Sequence, residues 1–485
     1  MPRTDTPTYS TYTTKQFPLV KEVFQRSTNS YDALYENCYI ETLKSKDIQQ
    51  FEIAASKRDG TTAYLSSNVA YRGMHYCPKH QMLYYCVGNT IYYWDPTNLT
   101  FNPQVVTTLP TISGRVGFTD FLYSSGTVAV VFTDGNTIGE ISEFQVATTY
   151  SSPNLFPHYP DPVYLDGYLF LVKQGTQDIY NSDLDAPGTW NNEYITAEMS
   201  PDSATALAKI SNYIVVFGTQ SIEFFYDAQN AGGSPLSRNE TVYKHVGYIG
   251  GKAQYGSKLF FLGKNLTGAI DVYMLEETKL TPIGNPQVVR TLGRITSPNA
   301  IATGCIVAFN GKTHYVFTYG DVTFAYNLDN DMFCTWKYGN TSKFTLAYTA
   351  NVSTDYNGNI SLFMVSEGST GVLGKFVLND YRDNGTAFTY KVRTDNLYND
   401  TMQMKFISRM SLFCDAGNTN ATIQLRWTDD DYQTYSNPVS IQLNQELASV
   451  RRLGGYRRRA FEFSNSENYP IRMWGYELDL NMGAS

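Results

Sequence analysis

Residues able to do chemistry are few in this chain and widely scattered. Only five histidines occur in 485 residues, and the one metal-like grouping is His75-x-Cys77-x-x-His80 with Cys86 six residues further on. Zinc takes four such ligands converging tetrahedrally. Here Cys77-Pro78-Lys79-His80-Gln81 has the composition of a turn, and Cys86 lies inside the strand-like run that follows. The spacing fits no common structural zinc pattern, so the expectation is a hairpin carrying small apolar cysteines and no metal. Two acidic stretches, Ser182-Asp183-Leu184-Asp185-Ala186-Pro187-Gly188-Thr189-Trp190 and Thr428-Asp429-Asp430-Asp431-Tyr432-Gln433-Thr434-Tyr435, are variants of the Asp-box turn. In such a turn a carboxylate and hydroxyls tie down the backbone while an aromatic packs beneath. A glycosidase needs two carboxylates at a defined separation, and no local motif supplies that pair. G-x-S-x-G, P-loop and H-E-x-x-H patterns are missing too, so no catalytic, cofactor or metal residue is assigned and no enzyme is expected.

One charged cluster remains, Arg451-Arg452-Leu453-Gly454-Gly455-Tyr456-Arg457-Arg458-Arg459. In a strand, Arg457 and Arg459 share a face with Phe461 and Phe463, while Arg458 and Glu462 share the other. The guanidinium fork suits phosphate and carboxylate alike. Between DNA contact and pairing with acidic groups of a neighbouring subunit, the second is preferred, because in an acidic chain an isolated basic strip is more useful at an interface. Arg451, Arg452, Arg457, Arg458 and Arg459 are therefore candidate interface residues.

The elements that position these residues repeat. Ser211–Asp227 places two β-branched and aromatic runs, Tyr213–Phe217 and Ile222–Tyr226, around a polar turn at Gly218–Ser221. That is the form of an antiparallel hairpin, with glycine expected to supply the positive φ of the turn. The same pattern recurs around Gly88, Gly135, Gly175, Gly263, Gly320 and Gly368, so that successive turn glycines stand 47, 40, 43, 45, 57 and 48 residues apart. An upstream turn keeps step at Ser125-Gly126, Asp166-Gly167, Ser211-Asn212, Tyr255-Gly256, Asn310-Gly311 and Asn357-Gly358. A period in the forties with several strands per unit predicts a β-propeller of about seven blades, with six as the margin. A cellular WD-type scaffold would carry a G-H…W-D signature, which is missing.

The expected all-β chain divides into an N-terminal arm and lead-in over 1–60, the propeller over 61–390 and a C-terminal β-sandwich over 391–485. The first thirty residues, rich in Thr, Ser and Pro, suit either an extended arm lying on a partner or a disordered tail. Beyond Lys391 the period breaks, and strands are expected at Met402–Cys414, Ala421–Trp427, Val439–Leu443, Arg457–Ser464 and Ile471–Leu480. Aromatics at 15% and charged residues at 17% suit wide apolar inner faces. A net charge of −8 and a pI near 5.3 argue against a nucleic-acid binder held by a basic surface. Six cysteines in so long a chain make no disulfide framework, nothing at the N-terminus resembles a signal peptide, and no stretch approaches a membrane span. A reduced, cytoplasmic site of synthesis is expected.

The C-terminal run from IQLRWTDDDYQTYSNPVSIQL through RRLGGYRRRAFEF to IRMWGYELDL resembles the closing domain of the tail nozzle, or hub, proteins of short-tailed bacteriophages. These are also called packaged-DNA stabilisation proteins. Arg426, Asp429–Asp431, Thr434, Arg457–Arg459 and Glu477-Leu478-Asp479 match the family's pattern in order. Asn37-Cys38-x-x-Glu41 and Lys57-Arg58-x-Gly60 are similar to its N-C-Y-P-E and K-R-P-G openings, and YLDGYLFLVKQGTQDIYNSDLDAPGTW to its middle blades. Ile40 and Asp59 depart where the family has Pro, as do Tyr432 and Tyr435 where an Asp-box has Gly and Trp.

The resemblance implies a non-enzymatic virion component assembled in the host bacterial cytoplasm. It implies a homohexamer below the portal that binds the head-to-tail adaptor and a tail needle, fibres or spikes. That ring lines a channel through which double-stranded DNA passes without sequence-specific binding, and no part of the chain inserts in a membrane. Six chains at −8 each would carry −48 formal charges, and a bore that shared this sign would let a polyanion slide where a lysine-lined one would bind it. The competing expectation is a carbohydrate-binding or sialidase-like propeller, since sialidase propellers carry Asp-boxes and tyrosine or tryptophan can stack on sugars.

Overall fold

The computed structural model describes residues 13–482 apart from 21–32, 43–52, 99, 152–153, 231, 298–299, 355–357, 368–369, 399–400, 416–420 and 445–446. The expected turn at Gly368, the Asn357 position and most of the first thirty residues lie outside the described residues. The chain forms two compact units, one of residues 62–323 and 343–376, the other of residues 1–61, 324–342 and 377–485.

The first unit is the propeller. Five four-stranded antiparallel meanders follow one another over Tyr71–Thr108, Gly117–Tyr150, Val163–Thr196, Ala204–Lys244 and Val246–Pro282. They are blades 1 to 5. Blade 6 begins with Ala302–Phe309 and Lys312–Tyr319. Blade 7 takes Leu346–Thr354, Gly358–Glu367 and Thr370–Val377, and its outer strand comes from the other end of the propeller sequence, Gly60–Ser67. Seven blades result, and they close: first strands touch in order round the ring, blade 7 meeting blade 1, while blade 5 meets blade 4 through the latter's later strands. Closing the ring packs every blade face against a neighbour and leaves only short outer-strand edges.

The core lies between blades rather than at one centre. Blades 4 and 5 share Val215, Phe217, Phe224, Phe261 and Leu275. Blades 7 and 1 share Val352, Leu362, Leu373, Tyr71 and Trp94. These interfaces are apolar because alternate residues of the middle strands point to opposite faces, and the middle strands are apolar on both.

Turn chemistry follows the sequence in part. Asp166-Gly167 and Asn310-Gly311 each take two successive positive φ values, 48° and 87°, then 53° and 70°, which is the backbone of a tight hairpin turn. Gly218 differs from expectation: it lies within the strand Tyr213–Gly218, outside the positive-φ group. A Cβ there would stand 2.2 Å from Asp202 Oδ2. That carboxylate accepts from Gln220 N (2.7 Å) and Ser221 Oγ (2.8 Å), so glycine is needed for close approach and the turn is tied by a side chain.

The second unit is a two-sheet sandwich. One sheet runs Cys38–Thr42, Ile53–Lys57, Arg472–Met482, Lys405–Cys414, Ser449–Tyr456; the other joins Phe333–Thr335, Leu34–Glu36, Tyr390–Arg393, Ala460–Asn465, Thr422–Thr428, Val439–Gln442. Phe461 and Phe463 of one sheet meet Tyr476 of the other at ring distances of 5.6 and 6.0 Å. Residues 34–57, expected to lead into the first blade, instead supply strands to both sheets. Thr13–Pro18 pairs antiparallel with Leu480–Gly475, and Leu19 and Val20 are buried behind it. Residues 13–18 are thus a strand of this chain's own sheet, where the sequence leaves an arm on a partner and a disordered tail as alternatives. The strand's apolar signal, Phe17-Pro18-Leu19-Val20, is short and its partner strand is more than 450 residues away.

Candidate functional site

The arginine cluster is divided by its surroundings. Arg451 and Arg452 lie exposed on the strand Ser449–Tyr456, a strand the sequence reading did not anticipate. The next strand starts at Ala460 rather than Arg457, so Arg457 and Arg458 form a bend and the expected alternation from Arg457 does not apply to them. Exposed Arg457 donates to Met402 O at 3.0 Å, and Arg458 pairs with Asp431. Arg459 is only 2% exposed and grips Asp429 bidentately at 2.7 Å through both Nε and Nη2. It also donates to Leu453 O and lies against Trp427 and Tyr456. A buried guanidinium satisfied on every side fixes the sandwich, leaving Arg451, Arg452 and Arg457 as the outward-facing charges.

Both acidic stretches are turns. Asp430 accepts from Thr428 Oγ1 (2.8 Å), Gln433 N (3.1 Å), Thr434 N (3.0 Å) and Thr434 Oγ1 (2.5 Å), and these donors, the Thr434 hydroxyl foremost, hold its carboxyl down at about 2. Asp183 accepts twice from Asn191 at 2.8 Å, with Trp190 buried beside it. These carboxylates are engaged by their own loops. His75 pairs with Asp120 at 2.8 Å, His80 meets Tyr84 Oη (2.7 Å) and Val128 O (2.9 Å), and Cys77 and Cys86 are buried in strands.

Two polar clusters went unnoticed in the sequence. At the ring's centre, Asp161 Oδ1 lies 2.9 Å from Arg115 Nη1 and 2.8 Å from Lys252 Nζ, bringing segments of blades 2, 3 and 5 to one oxygen, and Lys252 also donates to Leu207 O of blade 4. Burial pushes the Asp161 carboxyl up, but the two cations outweigh it and hold it below the usual carboxylate range. Burial leaves the Lys252 ammonium below the ordinary lysine value even so. Arg115 and Asp161 each stand two residues ahead of their blade's first strand, Gly117–Leu122 and Val163–Leu165. Superposing the repeats would have shown opposite charges at equivalent positions.

The second cluster gathers the N-terminal motifs. Arg58, fully buried, donates to both oxygens of equally buried Asp383, at 3.0 Å for the Nη1 to Oδ1 bond. It also donates to Asn37 Oδ1 (3.2 Å), Lys337 O (2.7 Å) and Asp59 O (2.9 Å), and lies 3.8 Å from the centre of the Phe388 ring. Asn37, at a positive φ of 52°, returns a bond to Thr389 O. A Cβ on Gly60 would stand 2.1 Å from Arg382 O, so the Lys-Arg-x-Gly run needs glycine as the chain passes.

Lys57 beside it is 4% exposed and donates to Asn465 Oδ1 (3.1 Å) and Glu467 O (2.6 Å). Burial, aided by the Arg58 charge, lowers its ammonium to about 7. Because the folded value lies below the unfolded one, the unfolded chain binds the extra proton above pH 7. The penalty is full below about pH 7 and fades as pH rises towards the ordinary lysine value. Stability should therefore climb by about 1 kcal/mol per pH unit across that window, and urea melts at several pH values should show this slope reduced in Lys57→Met.

Comparison with known proteins adds three findings. A family model described as bacteriophage P22 Gp10, beta-propeller, matches residues 16–377. The tail hub protein gp10 of Salmonella phage P22 is 25% identical over 157 residues, which cover 31% of this chain and 33% of that protein. The aligned stretch thus spans about a third of that relative. Among solved structures, a streptogramin B lyase aligns with a TM-score of 0.44 at 14% identity, over 72% of this chain and 100% of that one. The virginiamycin B lyase of Staphylococcus aureus aligns at 0.45 and 16%, over 64% and 98%. Likeness at that level carries no argument about activity.

Proposed function

The chain belongs to the β-propeller family of bacteriophage P22 Gp10, and we propose on that premise that it is a structural subunit of the tail hub of a short-tailed phage. In this reading several copies, six by family resemblance, form a ring that lines the DNA exit channel and retains packaged DNA. The ring attaches to the head-to-tail adaptor and to a tail needle, fibres or spikes. The observation that carries the reading is the family match, which runs from the N-terminal strand through almost the whole propeller. Two physical features agree with it. The centre of each propeller is bridged by Asp161 and its cations, so a duplex would run between copies and not through one ring of blades. The net charge of −8 favours sliding over capture.

The proposed division of labour keeps the propeller, residues 62–323 and 343–376 where the sequence reading had 61–390, as the rigid body. Residues 1–60 and 391–485 carry the contacts between copies. Arg451, Arg452 and Arg457 are the proposed interface cations, answering the acidic surface of the next copy. Reversing all three to glutamate should leave the subunit's melting behaviour close to wild type but weaken assembly at least about tenfold. Light scattering and negative-stain imaging of purified protein with its adaptor read this directly. Unchanged rings in the triple variant would remove the arginines from the interface, and a wild-type chain that stays monomeric and is missing from virions would sink the hub reading itself.

A further inference from the structure

The axial cluster belongs to a cavity whose charges do not balance. A space of about 290 Å³ opens at the ring's centre among the first strands of blades 2 to 5, near the lower end of small-molecule sites. Tyr164, Lys209 and Gln254 each stand last but one in their blade's first strand, Val163–Leu165, Ala204–Ile210 and Val246–Tyr255. Equivalent positions in three neighbouring blades therefore make one level of the cavity wall. Lys252, two residues before Gln254 and on the same side of its strand, lies one level deeper beside Asp161.

Three cations line this space, Arg115, Lys209 and Lys252, against one carboxylate, Asp161. The excess is two positive charges, in a chain that is acidic as a whole. Arg115 is paired with Asp161, yet 43% of its side chain stays exposed, so the guanidinium remains within reach of a second anion. Lys209 meets no carboxylate or carbonyl among the described residues, and its ammonium lies 5.6 Å from the centre of the Tyr164 ring. Burial and the Arg115 charge hold the Lys252 ammonium below the ordinary lysine value, and the shared Asp161 does not offset them. Like charges gathered in a low-dielectric recess raise its positive potential and draw in counter-ions. A structural ion pair needs only one cation, so the surplus is what an additional anion would answer.

We propose that the axial cavity binds a compact dianion, a dicarboxylate or a phosphate, whose two charges match the excess. Lys209 and the exposed part of the Arg115 guanidinium take its oxygens through charge-assisted bonds, while Asp161 keeps Lys252. A monoanion leaves one cation unanswered, and a nucleic-acid duplex does not enter a space of this size. The inference does not depend on the hub reading.

Malonate and inorganic phosphate are the probes on the full chain, with acetate as the monovalent control, by calorimetric titration and thermal melts at fixed ionic strength. A dianion should bind once per chain and raise the melting midpoint at millimolar concentration, with acetate at least about tenfold weaker. Preference for malonate or for phosphate identifies which dianion the cavity takes. Lys209→Gln removes a half-exposed cation that has no ion pair; it should melt like wild type in buffer yet weaken the dianion about tenfold. Asp161→Asn should melt lower in chloride, because Arg115 and Lys252 then face each other without a counter-charge, and should gain more from malonate than wild type does. No binding of either dianion, binding of acetate as tight as malonate, or undiminished binding by Lys209→Gln would overturn the proposal.

Discussion

Replacing Arg58 with alanine is expected to cost about 3–5 kcal/mol of unfolding free energy, the loss typical when one member of a buried ion pair is removed. The size follows from what is left behind. Asp383 is 1% exposed and, among the described residues, would keep Thr61 Oγ1 (3.1 Å) and Gly339 N (2.8 Å) as donors, too few to compensate a buried carboxylate. Asn37 Oδ1 would lose one of its two donors, and the carbonyls of Lys337 and Asp59 would lose theirs. Asp383→Ala should cost as much by stranding the guanidinium. Arg58→Ala with Asp383→Ala should cost less than the sum of the singles, because no charge is then left unpaired. Denaturant melts of the four proteins form the cycle; a loss below about 1 kcal/mol in Arg58→Ala would show that water reaches the pair.

That pair also marks where sequence reading stops. Asn37, Arg58 and Gly60 were legible as a resemblance to a family opening, but their reason is a carboxylate 325 residues downstream of Arg58, and nothing local announces it. The strands Cys38–Thr42 and Ile53–Lys57 are short; they pair with each other, and only the second reaches the chain's far end, at Met473 and Arg472, so their pattern carried no address. The blades were legible for the opposite reason. Blades 1 to 5 are meanders of neighbouring strands whose turns recur at a nearly fixed interval, and local pairing writes itself into local sequence.

The arginine cluster shows an intermediate case. The sequence located its charges, while their fates were set by tertiary partners: Asp429 took Arg459 inward and Asp431 took Arg458. A bend at Arg457-Arg458 interrupts the strand on which the expected alternation relied, and that strand begins only at Ala460. The axial cluster escaped notice because Arg115, Asp161 and Lys252 each look like an ordinary surface charge until the ring closes.

Phe217→Asp is expected to unfold the propeller altogether. Phe217 is fully buried between blades 4 and 5, with ring centres 5.0 Å from Phe261 and 4.9 Å from Tyr248. Removing the ring alone costs about 3–5 kcal/mol. An ionised carboxylate in its place meets none of the cationic partners that Asp161 has, and desolvating it costs several kcal/mol more. The sum approaches the whole stability of an ordinary domain, about 5–15 kcal/mol. Ring closure magnifies the effect, since a blade interface lost at one point opens every blade's path round the circle. The same hairpin supplies the controls. Tyr226, 39% exposed on the strand Ser221–Asp227, should accept aspartate with a change of about 0.5 kcal/mol or less. Phe217→Leu, which keeps an apolar side chain, should cost about 1–2 kcal/mol and leave the chain folded. Near-ultraviolet circular dichroism and size-exclusion chromatography distinguish the three. A Phe217→Asp chain that eluted and melted like wild type would mean that blades 4 and 5 are not held by this contact, and the inter-blade core would have to be sought elsewhere.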